Sequence, residues 1–89
     1  MGEFEKVLLA KVNSGKNLPH AVLDLEARLY EEGKDASAMG LGLAIRHVAG
    51  QSHIPMDLVR EQVKKVAAAG DPAARRCLPD LDRRFISGS

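Results

Sequence analysis

Aromatic side chains are nearly missing from this 89-residue chain, which has two Phe, one Tyr and no Trp. With only Phe4, Tyr30 and Phe85 to draw on, the core must be aliphatic, built from Leu, Val, Ile, Ala and Met. Cysteine occurs once, at Cys77, so no internal disulfide can form. That disfavours a disulfide-stapled secreted scaffold and leads us to expect a reducing, cytoplasmic setting. No apolar run approaches the roughly 18 residues of a membrane span. The opening MGEFEK carries no signal-peptide pattern, and its sixth residue is Lys6 where a myristoyl signal has Ser or Thr. Alternation of period two is confined to GLGLA, and neither Asn-Gly nor Asp-Gly occurs, so hairpin signals are missing. HExxH and C-x-x-C are absent too, so neither metal nor cofactor is expected. No spacing of Ser, Cys, His and acid argues for nucleophilic catalysis, and we expect a non-enzyme.

What is present is globular: 45% hydrophobic and 28% charged residues, with a formal net charge of +1. The length suits a single domain, read as 1–86 with a frayed tail at 87–89. A domain this small buries only roughly 60–65% of the surface its unfolded chain exposes, so its stability margin is thin.

Glycine and proline set out the segments. Gly15, Gly33, Gly50 and Gly70 each close an apolar-periodic stretch, where helices place a C′ glycine. Asn17, Asp35, Ser52 and Asp71 follow as N-cap candidates, and Pro19, Pro55 and Pro72 stand at helix starts. The resulting helices are 3–14, 18–32, 36–49, 55–69 and 72–86. In the first, Phe4, Val7, Leu8 and Val12 share a face; in the second Leu18, Val22, Leu25 and Leu29 do. Asp24, Glu26, Arg28, Glu31 and Glu32 are assigned to the outer face of the second helix, and Asp80 and Asp82 to charged surface. Pro79 predicts a break after Leu78, with a restart carrying Leu81 and Phe85. The expected fold is all-α: a compact bundle of five or six short helices joined by short turns.

AAAGDPAARRCLPDL resembles the turn and second helix of HEAT-type repeats, through Asp71, Pro72, Arg75, Arg76, Leu78 and Leu81. The likeness spans about 15 residues, Leu78 comes one position early, Pro79 departs from the pattern, and no second copy follows where repeat proteins need several. It is a shared way of starting a helix.

The stretch SAMGLGLAIRHVAG, 37–50, is apolar on most of its helical circumference, which suits a central core helix. Ala36, Gly40 and Ala44 fall at i, i+4 and i+8, a small-residue stripe that would let another helix approach closely. The third glycine and preceding strand of a dinucleotide-binding loop are missing. Charge is divided unevenly: residues 1–45 hold five Lys/Arg against seven Asp/Glu, a net −2, and residues 46–89 hold eight against five, a net +3. We therefore expect an interaction module, an adaptor, regulator or inhibitor that binds a protein partner or a second copy of itself. The partner-binding candidates are Gly40, Gly42, Ala44, Arg46 and His47. The alternative is a nucleic-acid-binding regulator using Arg60, Lys64, Lys65, Arg75, Arg76, Arg83 and Arg84. A third, a thiol-dependent factor, would need Cys77 to be reactive beside Arg75 and Arg76.

Overall fold

The periodic apolar spacing becomes helix almost where expected. The computed structural model describes residues 2–82 and places five helices among them: α1 (Glu3–Asn13), α2 (Leu18–Glu31), α3 (Leu41–Gln51), α4 (Met56–Ala68) and α5 (Pro72–Asp82). No strand occurs among the described residues. Phe85, Arg83, Arg84, the tail and any sixth helix lie outside them. The radius of gyration is 12.1 Å, matching the ~12 Å of a close-packed chain of this length.

The core is aliphatic. Leu8 of α1, Leu18, Val22, Leu25 and Leu29 of α2, Leu41, Ile45 and Val48 of α3, and Val59 and Val63 of α4 are buried in one cluster with Cys77 and Leu81 of α5. Of the two described methionines, Met56 is half-buried against this cluster and Met39 is exposed. α2 touches α1, α4 and α5, and α5 touches α4, α2 and α3, while α3 lies mainly against α1. The central position expected of the third helix is thus shared by the second and the fifth. The most extensive contact is between α4 and α5, consecutive helices joined through Gly70 and Asp71.

Helix ends show which turn signals held. α1, α2 and α4 end with Gly15, Gly33 and Gly70 in the left-handed region. At Gly33 the N–H donates to the Tyr30 carbonyl and the Lys34 N–H to that of Leu29, both bonds of a Schellman closure. Asp71 caps α5, its Oδ1 accepting the Ala73 N–H at 3.0 Å. Gly50 does not end α3. The helix runs past it to Gln51, and His53 takes the left-handed position at φ 56°. Its closure is the same: Ile54 N–H to the Ala49 carbonyl at 2.8 Å, His53 N–H to that of Gly50.

Two expectations fail for backbone reasons. Residues 36–40 form a single separate turn, and α3 begins only at Leu41. Asp35 Oδ1 holds the start of that turn through the Ala38 N–H, and Gly40 ends it at φ +88°. Ala36, Gly40 and Ala44 therefore never form a stripe on one helix. A Cβ built on Gly40 would meet nothing within 4 Å, so glycine is needed there for its φ and not for a close helix crossing. Pro79 does not break α5, which continues to Asp82. Its ring lies on the exposed side, so the helix loses the bond to the Arg75 carbonyl and little else.

Candidate functional site

The extra turn at 36–40 keeps two sequence neighbours apart. α2 and α3 scarcely touch, and α1 bridges them from one side. Between the three helices lies an open groove of about 530 Å³. Phe4 and Val7 of α1, Leu25 and Leu29 of α2, and Ala44 of α3 line it, with Gly40, Met39 and Leu43 along the α3 side. Met39 is 52% exposed and Leu43 48%, although both are large and apolar. Isolated exposed apolar side chains are ordinary, but two beside an apolar concavity are what binding sites show. The rim is charged with both signs: Glu3, Glu5 and Glu32 against Arg28 and Lys34. Lys34 pairs with Glu32 at 3.0 Å, and Glu5 Oε1 meets His47 Nδ1 at 3.1 Å.

Of the residues singled out for partner binding, Gly40 and Ala44 line this groove. His47 stands on its α1–α3 edge through Glu5. Gly42 is buried in the first turn of α3, and Arg46 turns toward α5, donating to the Leu81 carbonyl at 3.1 Å. The groove's other walls, Phe4, Val7, Leu25 and Leu29, carry plain helix periodicity. Nothing in their spacing separates a groove wall from a core face.

Of the basic set, Arg83 and Arg84 lie outside the described residues. Arg60 pairs with Asp57 and reaches Asp82 at 3.9 Å. Arg76 is committed to a buried acid, described next. Lys64, Lys65 and Arg75 are exposed, and Arg75 Nε donates to the Ala67 carbonyl at 3.3 Å.

A second polar constellation lies inside the molecule, where α5 meets α2. Glu26 was placed on the outer face of its helix by its charge; it is 0% exposed. Arg76 Nε donates to Glu26 Oε1 at 2.6 Å, and the guanidinium carbon lies 5.1 Å from the centroid of the Tyr30 ring. Asp80, also expected at the surface, is buried and accepts the Ser37 hydroxyl at 2.6 Å. Glu26 Oε2 and Arg76 Nη2 are buried without a hydrogen-bond partner. Burial raises the Glu26 carboxyl above its usual range; Arg76 opposes this, while Asp80 and Asp35 add to it. The neighbouring Cys77 thiol is pushed up to about 12, by burial first and then by the charges of Glu26 and Asp80. A thiol so buried and so weakly acidic packs as a small apolar side chain. Helix geometry could have revealed Glu26: it lies four residues after Val22 and three before Leu29, between two core positions.

Among the described residues no group of His, Cys, Asp and Glu could hold a metal ion, and no helix is long and apolar enough to cross a membrane. Comparison with protein-family models, with curated proteins and with solved structures finds no match for this chain.

Proposed function

We propose that this chain is a small helical interaction module that seats an apolar segment of a protein partner in the groove between α1, α2 and α3. The observation that carries the reading is the placement of Met39 and Leu43, half-exposed beside an apolar concavity whose walls come from three helices. An amphipathic helix fits such a groove by laying its apolar anchors along the floor while its polar face meets the mixed-charge rim. Of the groove's apolar side chains, Met39 and Leu43 stand outside the core and are free to be covered by the partner.

Selection from a displayed library of helical peptides tests this. Enriched peptides should carry apolar residues at i, i+3/i+4 and i+7, and should lose at least tenfold in affinity for Leu43→Glu. A library that yields no binder, or binders indifferent to Leu43→Glu and Met39→Glu, would defeat the reading. Light scattering separates the remaining occupant: a dimer abolished by Leu43→Glu would place a second copy in the groove.

A further inference from the structure

We propose that the seam of Glu26, Arg76 and Asp80 is a proton-operated latch between α2 and α5, tightened when Glu26 is protonated and loosened when it ionises. The geometry sets two buried carboxylates, Glu26 and Asp80, against one guanidinium among the described residues of the seam. With both acids ionised, these residues carry an excess of one negative charge. Asp80 is the better served of the two, since the Ser37 hydroxyl donates to it. Glu26 has one hydrogen bond, from Arg76 Nε, and its Oε2 is buried with no donor. An ionised carboxylate with a bare buried oxygen is the costliest state available here, and a proton on Glu26 removes its charge.

The surroundings give Glu26 little further help. From α5 the groups facing it are Arg76, Asp80 and the neutral Cys77 thiol; from the connection after α2 comes Asp35, another acid. The buried residues of α1 and α4 are apolar: Leu8, and Val59, Val63 and Ala67. Arg76 is itself divided between Glu26 and the Tyr30 ring. Position makes the seam a latch: α5 packs chiefly on α4. Its polar attachments to the α2 side are the Arg76–Glu26 pair and, through Ser37, the Asp80 contact. A change of charge at Glu26 therefore acts where the α4–α5 pair docks onto α2.

The sign is opposite to that of an ordinary salt-bridged acid. Because the folded chain holds the Glu26 proton more firmly than the unfolded chain does, the stabilisation is fully present below the usual carboxylate range. It is lost as pH rises through the raised folded value. Each pH unit between those two values changes the opening equilibrium about tenfold.

Two measurements on the intact chain test the latch. The Glu26 carboxyl carbon, followed by NMR against pH, should titrate above the usual carboxylate range. Protection of the α5 amides from hydrogen exchange, corrected for the intrinsic rate, should fall about tenfold or more across that titration, and Glu26→Gln should abolish this pH dependence. A Glu26 carbon titrating at or below the usual range overturns the proposal, as does α5 protection unchanged across the titration. Should Glu26→Gln not fold, Asp80→Asn supplies the second variant: removing the like charge must lower the Glu26 midpoint, and an unmoved midpoint also overturns the proposal.

Discussion

The two sides of α2 invert the usual distribution of side chains. Toward α1 and α3 it borders a groove where Met39 and Leu43 stand half in water. Toward α5 it buries a carboxylate, a second carboxylate and part of a guanidinium. Apolar residues inside and charges outside say little about a protein, because every soluble fold does that; the exceptions carry the information. Here they are of two kinds. The groove costs the fold little, since its exposed apolar groups are not needed for stability. The seam costs it more, since buried charges must be held in matched pairs and this set is unequal. Substitutions on one side should therefore alter binding, and on the other side stability and its pH dependence.

The largest expected effect is on the seam. Arg76→Leu removes the one cation that faces Glu26 among the described residues and should destabilise the fold by about 3–5 kcal/mol at pH 8, measured by urea denaturation. Near pH 5 the loss should shrink, because Glu26 can then take a proton. Adding Glu26→Leu to Arg76→Leu should restore most of the stability, since the pair is replaced by apolar groups of similar size. A single variant costing under about 1 kcal/mol at pH 8 would show that the pair holds nothing in place.

The connection that opens the groove comes next. Gly40→Ala should cost about 1–2 kcal/mol, the penalty of a left-handed backbone for a residue with a Cβ. The atoms around Gly40 leave room for that Cβ. Gly40→Asn should therefore cost less than Gly40→Ala, since Asn tolerates the left-handed region, whereas a packing defect would rank the larger Asn as worse. The opposite change at the end of α3 should help: His53→Gly relieves φ 56° at a position bonded like the glycine closures and should gain about 0.5–1 kcal/mol in the same assay. A loss there would mean that the His53 side chain makes a contribution larger than its backbone strain.

These positions mark how much was legible in the sequence. The starts and ends of α1, α2 and α4 lie within a residue of where spacing and glycine placed them, because an amphipathic face and its stop signal are both written in side-chain types. α3 was misplaced at its start because Gly40 within an apolar run reads equally as helix interior or as a left-handed stop; φ is not visible in composition. Pro79 misled in the other direction: on the solvent side of α5 its ring is accommodated. Glu26 and Asp80 read as surface on charge alone; Glu26 stands at helical spacing between the core positions Val22 and Leu29, whereas the burial of Asp80 follows from the tertiary packing of α5. The sequence points to partner binding along 40–47 through a small-residue stripe, and that stripe does not form, because Gly40 ends a separate turn; the groove beside it is not visible in the spacing. Its actual cause is the separate turn holding α2 and α3 apart.

The smallest expected effect on stability is also the one that isolates the groove. Leu43→Glu removes an apolar side chain that is 48% exposed, so it should change the unfolding free energy by no more than about 0.5 kcal/mol. The helix tolerates the exchange: Glu ranks with Leu in helix propensity, and position 43 lies in the first turn of α3, where a negative charge meets the positive end of the helix dipole. Any loss of peptide binding in this variant then belongs to the groove and not to unfolding. If Leu43→Glu instead destabilised the chain as strongly as Arg76→Leu, Leu43 would be a core residue in solution. The apolar face beside α2 would then be closed, and the contrast between its two sides would disappear.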